Sequence, residues 1–108
     1  MRMGRLSDGW RKEGCSFEEQ VLVQRPIFYR HVYRDDSSLA GVIVDYERAD
    51  DFHYELERDG WDEFCERYLM GTDSAAAFKE FLVAHPALFA FEDALEDAGI
   101  EFTKIAFY

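Results

Sequence analysis

Cysteine and proline are both scarce in this chain, with two of each among 108 residues. Two thiols, Cys15 and Cys65, are too few for a disulfide framework, so a packed core must carry the fold. A reducing, cytoplasmic setting is the expectation, with a single Cys15–Cys65 bridge left open. No apolar run approaches the roughly 20 residues of a membrane span. The basic start, residues 1–14, has no apolar segment of the kind a secretory signal carries. Gly4, Gly9 and Gly14 fit neither the phosphate loop nor the dinucleotide fingerprint, and no HExxH or CxxC is present. With no repeat, low-complexity tract or Gly/Pro/Ser-rich linker, the chain reads as one domain.

Positive charge is also in short supply. Twelve Lys and Arg face 23 Asp and Glu, for a net charge of −11. The imbalance is uneven. Residues 1–34 hold seven basic and four acidic side chains, a balance of +3, whereas residues 35–108 hold five and nineteen, a balance of −14. A mildly basic segment precedes an acidic body. Aromatics, by contrast, are abundant: ten Phe, six Tyr and two Trp. Rings bring large apolar area per residue, and a surplus over what a small core holds is expected at a binding surface.

Residues 1–14 read as a loose arm with Trp10 as its anchor. A short strand over residues 17–24 stops before Pro26. Residues 27–34 alternate Ile27, Tyr29, His31 and Tyr33 with Phe28, Arg30, Val32 and Arg34, the period of a strand. Asp35, Asp36, Ser37 and Ser38 have turn chemistry, and the apolar run 39–46 completes a hairpin. From Ala49 the spacing predicts helix, with Asp50 and Asp51 at its start. Phe52 and Leu56 form one stripe, and Trp61, Phe64, Cys65, Tyr68 and Leu69 form another. A break at Asp59–Gly60 separates them, and Gly71 ends the second piece. A third helix follows the Thr72, Asp73 and Ser74 caps and carries Phe78, Phe81 and Leu82. After His85–Pro86, a fourth carries Leu88, Phe91, Leu95 and Ala98 and closes on Gly99. Residues 101–108 read as a strand beside the hairpin. The fold class is α+β: a small antiparallel sheet, made of an N-terminal β-hairpin plus the C-terminal strand, packed on one face by three to four helices.

Carboxylates crowding a surface suit a basic partner, because they steer encounter and can stand in for phosphates in a groove that holds nucleic acid. The residues expected to meet that partner are Asp35, Asp36, Asp50, Asp51, Glu55, Asp59, Asp62 and Glu66, with Tyr29, Tyr33 and Trp61 as aromatic anchors. The expected function is therefore an acidic protein-binding module. In its most specific form it is an inhibitor of a nucleic-acid-handling protein, of the size and charge found in anti-defence or antitoxin-like proteins. Direct nucleic-acid binding, a membrane role, a cofactor and catalysis are not expected. Two alternatives stay open. Asp50, His53 and Glu57 fall at i, i+3 and i+7 of the predicted helix and would converge on a metal. The basic segment of one copy could also meet the acidic body of the next. A Cys15 or Cys65 nucleophile with His31, His53 or His85 as base lacks any flanking signature, and a small hydrophobe's role explains Cys65.

Overall fold

The structure, a computed structural model, describes residues 5–47 and 52–106. In chain order it runs α1 (Leu6–Lys12), β1 (Ser16–Phe17), β2 (Val21–Gln24), β3 (Ile27–Tyr33), β4 (Leu39–Tyr46), β5 (Phe52–Glu57), α2 (Arg58–Tyr68), α3 (Ala75–Ala84), α4 (Ala90–Asp97) and β6 (Thr103–Ala106). All strand pairs are antiparallel. The six strands form one sheet in the order β1-β3-β4-β5-β6, and β2 lies beside β1 on the same edge of β3. The α+β class and the β3–β4 hairpin match the sequence reading, down to the turn, where Asp36 accepts from both the Ser38 backbone N–H (2.9 Å) and its hydroxyl (2.6 Å).

The helix expected from residue 49 is instead strand β5. Phe52 and Leu56 stand four apart, an even spacing that shares one side of a strand as readily as one face of a helix. Tyr54 decides between them. Phe52, Tyr54 and Leu56 are all buried on one side, while His53, Glu55 and Glu57 point to the other. A hairpin partner in β4 supplies the ladder, Val44 opposite Tyr54 and Asp45 opposite His53. Helix α2 thus begins where a break was expected, and its stripe of Trp61, Phe64, Cys65 and Leu69 is buried. The C-terminal strand pairs with β5, not with the β3–β4 hairpin.

A second correction concerns the N-terminus. Residues 6–12 form a helix, not a loose arm, and Trp10 is 5% exposed. Leu6 and Trp10, one turn apart, pack on the sheet face opposite α2–α4, beside Val32, Ala40 and Ile43. Ala40 reaches that side because the β3–β4 register slips there: Val32 faces Gly41 but Tyr33 faces Leu39. The extra residue of such a bulge turns the strand locally. The sheet therefore carries helices on both faces, and it separates Cys15 from Cys65, both free thiols.

The face under α2, α3 and α4 holds the main core, and it absorbs the aromatic surplus. Nine Phe, Tyr and Trp rings are buried there, Trp10 is buried on the α1 face, and among the described residues Phe89 is the one such ring that is exposed. Trp61, Tyr54, Phe64, Phe78 and Phe91 are fully enclosed, each contributing about 1.5–3 kcal/mol by burial. Edge-to-face contacts such as Phe64–Phe91 (4.9 Å, 87°) give the rings defined angles. Helix α3 is capped as expected, with Ala77 N–H donating to Ser74 Oγ at 3.1 Å. Helix α4 starts later than expected, at Ala90, leaving Leu88 exposed. It closes as predicted: Gly99 takes φ +70° and Ile100 N–H donates to the Leu95 carbonyl at 2.9 Å.

Gly41 is the contact point of α1 on the sheet. A Cβ there would meet the Leu56 carbonyl and lie 2.5 Å from Trp10 Cζ2. Gly41→Ala should destabilise by about 2 kcal/mol or more, whereas Gly9→Ala, with open space around it, should stabilise by about 0.5 kcal/mol. Urea unfolding of both variants tests this; equal midpoints would mean that α1 does not pack here.

Candidate functional site

On the α1 side of the sheet, strand alternation places Asp45 of β4 directly opposite His53 of β5, with Glu55 two residues on. Their side chains meet. His53 Nδ1 lies 3.3 Å from Asp45 Oδ1, and Nε2 lies 3.1 Å from Glu55 Oε2. Asp45 also accepts from Gln20 Nε2 at 2.7 Å and lies 3.5 Å from the Arg30 guanidinium. The Glu55 carboxylate has no exposed surface. Its other oxygen accepts from the Leu6 N–H at 2.8 Å and the Ser7 N–H at 3.4 Å. Those amides open α1 and have no partner within the helix.

The electrostatics follow from the geometry. Burial alone would push the imidazole down, but the two carboxylates outweigh it and raise the His53 pKa to about 9. Burial opposes ionisation of Asp45 and Glu55 as well, yet hydrogen bonds, above all from His53, hold both below the ordinary carboxylate range. The group is an imidazolium between two carboxylates. Among the described residues, no three His, Cys, Asp or Glu side chains are arranged to hold a metal ion.

A second histidine sits on the opposite face. His31 Nε2 lies 2.7 Å from Asp73 Oδ2 in the α2–α3 connection, and Nδ1 lies 3.5 Å from Glu18. The Asp73 hydrogen bond, assisted by Glu18, raises the His31 pKa. Asp73 is itself held low by His31, against burial, and the Trp61 indole adds to this although its N–H falls short of a good hydrogen bond. Tyr33 stacks on His31 at 6.0 Å and Tyr29 meets it edge-on at 5.2 Å. Burial pushes the Tyr29 phenol up to about 12 and the Cys65 thiol also to about 12, so neither is ionised near neutrality.

The residues expected to meet a partner are divided by this fold. Asp35 and Asp36 are exposed in the β3–β4 turn, and Asp59, Asp62 and Glu66 are exposed on α2. Asp50 and Asp51 lie outside the described residues. Glu55, Tyr29 and Trp61 are buried at 0%, 4% and 0% exposure, so none is a surface contact. Strand β5 puts Glu55 on the α1 side, and Tyr29 and Trp61 pack against each other at 5.8 Å, tilted by 38°, within the core. Tyr33 is half-buried at the rim. The metal reading loses its basis too, since His53 and Glu57 stand on a strand and the imidazole is held by Asp45 and Glu55. Sequence reasoning missed Asp45, Glu18 and Asp73 as histidine partners. Only the period-two pattern of residues 52–57 carried a signal, by placing His53 and Glu55 on one side.

What remains exposed is strongly acidic. Glu57, Asp59, Glu63 and Glu101 line one surface cleft of about 270 Å³ with Gly60, Gly99 and Ile100, and among the described residues no Lys or Arg lines it. The α2 ion pairs Arg58–Asp62 (3.4 Å) and Arg67–Glu63 (3.2 Å) are exposed and hold their acids by only a few tenths of a kcal/mol.

No family model, no curated protein and no solved structure matches the chain. No helix of the described residues is long and apolar enough to cross a membrane.

The His53 cluster sets a pH dependence of stability. A raised histidine pKa contributes fully below the unfolded value of 6.5 and is lost as pH rises through about 9. The lowered carboxylates contribute above their ordinary values, 3.8 and 4.5, and are lost as pH falls. Stability from this cluster should therefore peak between about pH 5 and 6.5. His53→Gln should cost about 3 kcal/mol at pH 6 and distinctly less at pH 9.5. Urea unfolding of both proteins across this range provides the check; a pH-independent difference would mean that His53 is neutral.

Proposed function

We propose that this chain is an acidic protein-binding module that engages a basic partner through carboxylates displayed on α2 and around its start. The observation that carries the reading is the cleft at the β5–α2 junction, where Glu57, Asp59 and Glu63 of that segment meet Glu101 from the connection before β6. Asp62 and Glu66 extend the same sign of charge along α2, and Asp35 and Asp36 add it at the β3–β4 turn. With a net charge of −11, such a surface attracts cationic proteins over a Debye length of about 10 Å and repels nucleic acid.

The most specific form of the proposal is occupation of a basic groove on a nucleic-acid-handling protein, with carboxylates taking the place of phosphates. Catalysis is not part of it. Both acid-flanked histidines are committed to pairs within the chain, and the thiols and the Tyr29 phenol are held protonated. A self-associating role, with the α1 end of one copy meeting the acidic body of another, would use the same charges.

Capture of proteins by the purified full chain, repeated with excess DNA or RNA, tests the proposal. The expected result is retention of a basic nucleic-acid-binding protein that competitor nucleic acid displaces and that Asp59→Lys with Glu63→Lys weakens by at least about tenfold. Retention unchanged by these reversals would overturn it. A salt-sensitive homo-oligomer in light scattering, with no captured partner, would favour self-association instead.

A further inference from the structure

The connection between α3 and α4 leaves a groove on a different part of the surface. Tyr68 and Phe81 form its floor, Ala87 and Ala94 flank it, and Asp93 and Asp97 stand at one rim, enclosing about 440 Å³. That volume is in the range of small-ligand pockets, about 300–1,000 Å³. The groove exists because the side chains on its walls stop at a methyl group. At the far end His85 lies over the Phe81 ring, with centroids 4.7 Å apart. Beyond the shared His85–Pro86–Ala87 ridge, a second recess of about 220 Å³ continues between Pro26, Leu82 and Leu88, with Gln24 and Arg25 also on its wall. Exposed apolar side chains occur in the same α3–α4 region: Val83 is 62% exposed, Leu88 43% and Phe89 42%.

Charge and shape together specify an occupant. Asp93 and Asp97 are one helical turn apart on α4 and share an edge. Both are exposed, and neither has an ion-pair partner among the described residues. An anionic rim over an aromatic and alanine floor suits a side chain with a long aliphatic stem and a cationic head. A purely apolar ligand leaves the rim unused, and a purely cationic one leaves the floor wet. We infer that the α3–α4 groove docks a segment of a partner protein in which a lysine or arginine is flanked by aliphatic residues. The cationic stem lies along Tyr68 and Ala87, the head meets Asp93 and Asp97, and an aliphatic neighbour enters the recess beside Leu88. This inference shares with the proposed function only the sign of the partner's charge, since it uses none of the α2 carboxylates.

The test is fluorescence anisotropy on the full chain with three fluorescein-labelled peptides: alternating lysine and leucine, alternating glutamine and leucine, and alternating lysine and glycine. The lysine–leucine peptide should bind at least about tenfold tighter than either control. Asp93→Asn with Asp97→Asn should weaken it by about tenfold, and so should Ala87→Trp, which fills the groove from an exposed position without entering the core. Matching melting temperatures would exclude unfolding as the cause. Asp59→Lys with Glu63→Lys should leave this binding within about twofold. Equal binding of the glutamine–leucine peptide would overturn the inference, because the rim would then be idle. Binding lost with the α2 reversals but not with the groove variants would also overturn it, while leaving the acidic-surface reading intact. A dimer in sedimentation that Ala87→Trp dissolves would assign the groove to a second copy and likewise overturn it.

Discussion

A carboxylate with no solvent exposure sits at the centre of this fold. An ionised group removed from water is tolerated only when every lone pair is matched, and Glu55 meets that demand from two directions. One oxygen faces the His53 imidazolium on the same strand. The other receives the first free amides of α1. The same charge thus ties the N-terminal helix to β5, and through His53 it reaches Asp45 on β4. Gly41 lets Trp10 approach the sheet closely enough for these bonds to form. Breaking the pair would leave a buried charge uncompensated, which costs more than the intact pair contributes.

The opposite face is organised by rings instead of charge. Tyr29, Tyr54 and the aromatics of α2, α3 and α4 form a continuous edge-to-face network. At its margin Lys104 joins the network by lying over the Phe52 and Phe89 rings at 5.2 and 4.8 Å while pairing with Glu92 at 2.8 Å. Tyr54 donates to the same Glu92 oxygen at 2.6 Å. Internal pairing of this kind engages His31, His53 and several of the acids. Exposed carboxylates remain on α2, α4 and the β3–β4 turn, outside these clusters.

Segments whose period matched only one kind of element were legible from sequence. The alternation of residues 27–34, the turn residues 35–38 and the apolar run 39–46 were enough to place both strands and their turn. The stripe from Trp61 to Leu69 specifies α2, and Ser74, Gly99 and Ile100 mark helix ends by local hydrogen-bonding chemistry. Legibility failed where the period was shared. Phe52 and Leu56 satisfy a helix and a strand equally, and misreading them moved Glu55 from a buried ion cluster to an imagined surface. Leu6 and Trp10 were too short a pattern to announce a helix that needs a sheet face and a buried carboxylate to stabilise it.

By itself, then, the sequence determined the α+β class, the central hairpin, three helices and the acidic excess, because periodicity, caps and charge are local or additive properties. The tertiary structure alone decided which acids are surface and which are structural. That choice depends on which strands are neighbours, and the register that sets Asp45 opposite His53, or brings Asp73 of the α2–α3 connection to His31, is a long-range fact that no local window contains.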